Sequence, residues 1–353
     1  MKSIDIEEGL KLKNALFIDV RSPFEYNEST ITGAVNIPIL TDEQREDVGS
    51  VYRKESQEKA TEIGLKYASS KLTDIYTSVK AYRKQYDHII IFCWRGGMRS
   101  KTVCSLLDML NISNVYQLRG GYKRYRKFTV DYFENHIDQY SFITLHGLTG
   151  VGKTHILEKL STLRIPVLNL EKIAKNSGSA FGDIVFEGSP PSQKMFESDI
   201  FHTLYFCESK FLFVESESKR IGNVQIPDSI YTKIINGHHI LINTSLENRI
   251  NIILGDYIKH LENNNEKIIK AIQCLRKRLG NETVDLLLKK IDQKEYIFVI
   301  EYLIEHYYDP LYKYSIEKYE HYDRILEYED IEEVIPKLKD FYFNLMKMQN
   351  EVN

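Results

Sequence analysis

Short apolar runs bounded by polar turns recur along the first two thirds of the chain. They are Leu16-Phe17-Ile18-Asp19-Val20, His88-Ile89-Ile90-Ile91-Phe92, Val115-Tyr116-Gln117-Leu118, Phe142-Ile143-Thr144-Leu145, Phe211-Leu212-Phe213-Val214 and Ile240-Leu241-Ile242-Asn243. Their length and their Ile, Val and Phe content predict strands. Between them the period changes. Val103, Leu106, Leu107 and Leu110 fall three and four apart, on one face of a helix. Strands alternating with helices make an α/β chain. Residues 41–86 interrupt the alternation: polar, helix-rich and without a strand signal, they predict a helical insertion. Ser245 is a candidate helix cap. From about residue 255 to 353, helical periodicity with alternating charge predicts a helical C-terminal part.

Composition adds bounds. A chain of 353 residues suggests two domains, drawn here at 1–136 and 137–353. A formal net charge of −3 excludes a global basic field, so contact with nucleic acid must come from a local patch. The candidate patch is Arg119, Lys123, Arg124, Arg126 and Lys127, interleaved with Tyr122 and Tyr125. It is either a solvated helix start or a grip on phosphates with aromatics to stack. No apolar stretch approaches the ~18 residues of a membrane span, and the N-terminus is not a signal peptide. Four cysteines without a CxxC pair argue against a disulfide framework or zinc site. The expectation is a cytoplasmic protein without a membrane partner, in a compartment that keeps thiols reduced.

The candidate chemistry starts at Cys93. It ends a strand and opens the loop Trp94-Arg95-Gly96-Gly97-Met98-Arg99-Ser100, with a helix behind. Loop N–H groups, a helix N-terminus and the charges of Arg95 and Arg99 favour a thiolate, and equally an anion beside it. Asp19 and Arg21, two apart at a strand end, point the same way. They form either a surface ion pair or a brace for a neighbouring site. Cys93 to Arg99 also has the C-x5-R spacing of cysteine phosphatases.

A second loop follows the strand at 141–146. Gly147-Leu148-Thr149-Gly150-Val151-Gly152-Lys153-Thr154 fits G-x-x-x-x-G-K-[ST], with a helix predicted over 155–163. Here Gly147, Gly150 and Gly152 let the backbone wrap a phosphate chain, Lys153 neutralises it, and the Thr154 hydroxyl can hold Mg2+. Glu215 ends a later strand with Glu217 two on; either holds a metal-bound water or is a surface carboxylate. The small-residue loop 176–182 either closes over a substrate or only connects.

The frames Asp19-Val20-Arg21-Ser22-Pro23-Phe24-Glu25-Tyr26, Ile31-Thr32-Gly33-Ala34-Val35-Asn36-Ile37-Pro38, the cysteine loop and Leu118-Arg119-Gly120-Gly121-Tyr122 resemble a rhodanese domain. That resemblance implies a parallel sheet flanked by helices, and sulfur or selenium transfer through a persulfide-type intermediate on Cys93. A rhodanese-like parallel-sheet domain followed by a P-loop NTPase-like α/β domain, together with Glu215-Ser216-Glu217-Ser218-Lys219-Arg220-Ile221-Gly222, resembles the bacterial tRNA 2-selenouridine synthase family. The family implies a tRNA partner bearing 2-thiouridine at the wobble position. It implies S-geranylation of that base with geranyl diphosphate, then replacement by selenium from selenophosphate, and an enzyme that supplies the selenophosphate. Cys93, Arg95 and Arg99 would handle selenophosphate, and Asp19 and Arg21 would brace their loop. Lys153 and Mg2+ on Thr154 would stabilise the leaving diphosphate, unless the loop takes ATP or GTP instead. Outside this family, the competing classes are a cysteine phosphatase, a P-loop kinase or NTPase with a rhodanese-like binding half, and a tRNA-binding module without chemistry.

Overall fold

The computed structural model describes the backbone of every residue except Ala180, Asp183 and Asn353, and side chains for all but these and residues 257–265, 314, 315, 350 and 352. Ala180, in the expected loop 176–182, thus lies outside the described residues. The chain divides into two units, Met1–Tyr132 with Glu197–Phe201, and Phe133–Phe196 with His202–Asn353.

In the first unit five strands form one sheet: β1 (Lys2–Ile4), β2 (Ala15–Asp19), β3 (Val35–Asn36), β4 (His88–Phe92) and β5 (Val115–Leu118), in the order β1-β5-β4-β2-β3. Every pairing is parallel. Residues 89–92 of β4 are fully buried, as expected of a central strand covered on both faces. Asp19 pairs with Phe92, so β2 and β4 end together. That register sets residues 19–21 beside the loop that Cys93 opens. The insertion consists of helices Asp42–Lys54, Gln57–Ser69 and Leu72–Tyr82. Strand β1 is not foreseen by the hydrophobic pattern, because only Ile4 of its three residues is buried. Nor does the sequence show that Glu197–Phe201 belongs here. Ser198 Oγ donates to the Thr30 carbonyl (3.0 Å), and Phe201 packs edge-on against Tyr125 and Tyr132.

The second unit has β6 (Ser141–His146), β7 (Val167–Leu168), β8 (Phe211–Glu215), a hairpin of β9 (Arg220–Ile221) and β10 (Val224–Gln225), β11 (His238–Asn243) and β12 (Arg324–Glu327). Its main sheet runs β12-β11-β6-β8-β7, all parallel. The loop at 147–152 thus leaves the carboxyl end of the central strand, where open α/β sheets bind ligands. Helix Leu246–Cys274 starts at Ser245, whose Oγ accepts from Asn248 N (3.3 Å). The C-terminal part is not purely helical: β12 extends the sheet, and as an edge strand with only Leu326 buried it carries no apolar alternation. The other C-terminal helices enclose a separate core around Ile272, Val284, Leu287 and Ile291. Among the described residues no helix is long and apolar enough to cross a membrane.

Candidate active site

The cysteine loop is held from below by the glycines after β5. Tyr122 N donates to the Cys93 carbonyl and Lys123 N to the Trp94 carbonyl, both at 2.9 Å. Gly121 has φ +55°, and a Cβ there would overlap the Cys93 carbonyl oxygen and lie 2.6 Å from Gly96 N. No side chain fits, which explains the Gly120-Gly121 pair. Gln117 Nε2 donates to the Gly96 carbonyl (2.8 Å) and to Ser100 Oγ (3.0 Å). Cys93 Sγ lies 3.2 Å from Ser100 Oγ, in the first turn of helix Met98–Met109. The positive end of that helix therefore faces the sulfur and any anion held beside it. Burial pushes the neighbouring Cys104 thiol up to about 12, so it stays protonated.

Asp19 and Arg21 form a buried pair, 0% and 1% exposed. Arg21 Nε donates to Asp19 Oδ1 (2.9 Å) and Nη2 to Oδ2 (2.6 Å); Thr30 Oγ1 donates to Oδ2 (3.0 Å). The guanidinium stacks 4.3 Å from the Tyr122 ring centre and 5.9 Å from that of Trp94. The pair is therefore internal, and it reaches the loop through aromatic faces. Arg95 is exposed. Arg99 is engaged by Glu25: Nη1 donates to Oε2 (2.5 Å) and Nη2 to Oε1 (3.2 Å). Burial works against the Glu25 carboxylate, but the Arg99 hydrogen bond and charge overcome it and hold its pKa below the usual value. Met98 and Arg99 also line a groove of about 780 Å³ against the inserted helices, with Arg45 and Arg53 in its wall.

In the phosphate loop, Gly147, Gly150 and Gly152 have φ of +154°, +82° and +68°. A Cβ on Gly147 would stand 2.6 Å from the Ile242 carbonyl oxygen, and one on Gly150 3.0 Å from that of Arg249. Lys153 opens helix Lys153–Thr162, and its Nζ donates to the Gly147 carbonyl (3.0 Å) across the loop. Arg249 clamps the loop from outside: Nε donates to the Thr149 carbonyl (2.8 Å) while Nη1 donates to Asp309 Oδ2 (3.0 Å).

Behind Lys153 stands a chain of acids. Thr154 Oγ1 donates to Glu171 Oε2 (2.6 Å), and Glu171 N donates to Glu215 Oε1 (2.6 Å). Glu215 thus reaches Thr154 only through Glu171, and its Oε2 is buried without a partner. Burial, then the Glu171 charge, pushes Glu215 up to about 8. Loss of solvation and the same charge raise Glu217. Among the described residues no three His, Cys, Asp or Glu are clustered as a protein-only metal site. Magnesium at such a loop instead takes one or two protein oxygens plus phosphate oxygens.

A model of the tRNA 2-selenouridine synthase AAA domain matches residues 140–342, and a rhodanese-like domain model matches residues 5–128. The chain belongs to the tRNA 2-selenouridine synthase family. A tRNA 2-selenouridine synthase of Hydrogenovibrio crunogenus is 30% identical over 338 residues, covering 88% of this chain and 92% of that one. Its counterpart in Marinobacter nauticus is 31% identical, covering 87% and 90%.

Within this synthase chain, the basic stretch is mixed. Lys123, Arg124 and Lys127 are exposed on helix Gly121–Asn135. Arg126 is paired with Glu197 and half-buried, and Arg119 pairs with Asp5 (2.6 Å). Tyr122 and Tyr125 are buried in the core, so they are not surfaces on which bases stack. Sequence reasoning did not single out Glu171, Gln117 or a role for Glu25. Glu171 follows the Asn169 cap, whose Oδ1 accepts from Lys172 N (2.8 Å), a signal shared by many surface helices. Arg249 is paired with Asp309.

Proposed function

We propose that this synthase converts 2-thiouridine at the wobble position of tRNA to 2-selenouridine in two steps, through a rhodanese domain over 1–136 and a P-loop domain over 137–353. In the first step the uridine sulfur attacks C1 of geranyl diphosphate and diphosphate leaves. Charge grows on the leaving oxygens, where Lys153 and the amides of the glycine loop stabilise it. Magnesium fits the donor chemistry there, since Thr154 and Glu171 offer oxygens 2.6 Å apart and Glu215 Oε2 has no partner. Bound, it would neutralise charge on the diphosphate. In the second step the selenium of selenophosphate bonds to C2 of the base as the C2–S bond breaks and geranylthiolate leaves with a proton; water then cleaves the P–Se bond and phosphate is released. The Cys93 loop holds the selenophosphate, with Arg95 and the helix N-terminus as its positive partners. Lys123, Arg124 and Lys127 contact tRNA phosphates. The reaction belongs in the cytoplasm, with a selenophosphate-forming enzyme upstream.

The observation that carries this reading is the presence in one chain of a cysteine-bearing anion loop and a phosphate loop, each within a matched family domain. Mass spectrometry of tRNA nucleosides tests it. Lys153→Ala should abolish geranylation, and Cys93→Ser should stop selenation while geranylated tRNA accumulates. Normal 2-selenouridine in both variants sinks the assignment.

A further inference from the structure

The phosphate loop does not open onto a polar base-binding cleft. It forms one end of a cavity of about 190 Å³ lined mainly by aliphatic and aromatic side chains, with His155, Glu171, Ser177, Ser179 and Asp256 as polar members. Gly150, Gly152, Lys153 and Thr154 of the loop line it; Phe181, Tyr296, Tyr308 and Tyr312 stand among six aliphatic residues, Ile252, Ile268, Ile272, Ile291, Val299 and Ile300. These six aliphatic residues come from helices Leu246–Cys274, Asn281–Asp292 and Tyr296–Leu303. The apolar wall begins against the loop itself: a Cβ on Gly150 would meet Ile253 Cδ1 at 2.8 Å and one on Gly152 would meet Ile252 Cδ1 at 3.5 Å.

Resting on the reading above, we infer that this cavity holds the hydrocarbon chain of a prenyl diphosphate whose diphosphate lies on the phosphate loop. The C-terminal helices then select the donor by its chain. Two features favour this occupant. Lys153 and the loop amides meet an anion, and the helical walls are dominated by Ile and Val side chains and Tyr rings. A purine presents donors and acceptors along its edge and needs polar partners there, whereas an alkyl chain needs only carbon. Apolar cavities of ~150 Å³ take up benzene in protein interiors, so a branched alkyl group is compatible with this volume. The placement also keeps water from the carbon that undergoes substitution.

Titration of the full-length protein with inorganic diphosphate, dimethylallyl diphosphate, geranyl diphosphate and ATP tests the inference. Each buried methylene is worth roughly fourfold in affinity, so geranyl diphosphate should bind at least about 30-fold tighter than dimethylallyl diphosphate. Ile300, half-exposed in the cavity wall, tolerates a larger side chain without loss of core. Ile300→Trp should weaken geranyl diphosphate at least tenfold and leave inorganic diphosphate unchanged. Equal affinity of the C5 and C10 compounds for the wild-type protein overturns the inference, whatever the variant does. Tight geranyl diphosphate binding that Ile300→Trp does not alter places the chain elsewhere: the inference falls and the two-step reading stands. Binding of ATP with no prenyl diphosphate bound removes both.

Discussion

Gly121→Ala is the sharpest test of how the cysteine loop is built. The methyl would overlap the Cys93 carbonyl oxygen and stand 2.6 Å from Gly96 N, where ordinary contact begins at 3.4 Å. Gly121 also sits at φ +55°, which costs an L-residue roughly 1–2 kcal/mol. The neighbours are backbone, so no flexible side-chain end can swing away. Restoring ordinary contact displaces the loop by about 1 Å, against a β4 that is fully buried and close-packed. A shift of that size at a reacting atom costs on the order of 100-fold in rate. Purified variant supplied with already geranylated tRNA should therefore lose about two orders of magnitude in selenation. Its geranylation of thiolated tRNA, which we propose for the other loop, should match wild type. Selenation within threefold of wild type would show that the loop does not need this contact, and the reasoning fails.

Two further outcomes follow from buried charge. Asp19→Asn leaves Arg21 buried without its counter-ion, and the first unit should lose about 3–5 kcal/mol in denaturant unfolding; a loss under about 1 kcal/mol would mean the pair is solvated in solution. Glu215, raised from 4.5 to about 8 by burial and Glu171, holds a proton in the folded state that the unfolded chain releases. Its contribution is complete below about pH 4.5 and lost as pH rises through about 8. The unfolding midpoint of the second unit should fall across that window and Glu215→Gln should flatten the fall; an identical slope in the variant contradicts the burial argument.

How legible the molecule was depended on how local each signal is. Both loops could be read because each is a contiguous stretch whose glycines and cation repeat a fixed spacing. The central strands could be read because burial on both faces leaves an unbroken apolar run, as in residues 89–92. Edge strands could not: β1 and β12 each bury one residue, so nothing in their composition separates them from the helices around them. The acids were half legible. Glu215 announces itself at a strand end, but its distance from the phosphate loop depends on Glu171, which is brought in by a short helix 44 residues earlier. Arg99 was read as an anion ligand from its spacing to Cys93. Glu25, which engages it, is 74 residues away in sequence and becomes a neighbour only through the parallel register of β2 and β4.

The two loops use one backbone device and opposite electrostatics. In each, a left-handed glycine lies where a Cβ would strike backbone: Gly121 against Cys93 and Gly96, Gly147 against Ile242. Each loop is therefore shaped by chain atoms that no rotamer can move. The charges differ. Beside Cys93 the arginine at the helix start is already satisfied by Glu25, so an incoming anion competes for it or relies on Arg95 and the helix end. The Lys153 ammonium donates to a neutral carbonyl and faces the Tyr312 ring, while the acids stand one hydroxyl away on Thr154. A highly charged diphosphate is better matched to the second arrangement, and a smaller anion that must release its selenium to the first. That difference supports the proposed division of labour between the two steps.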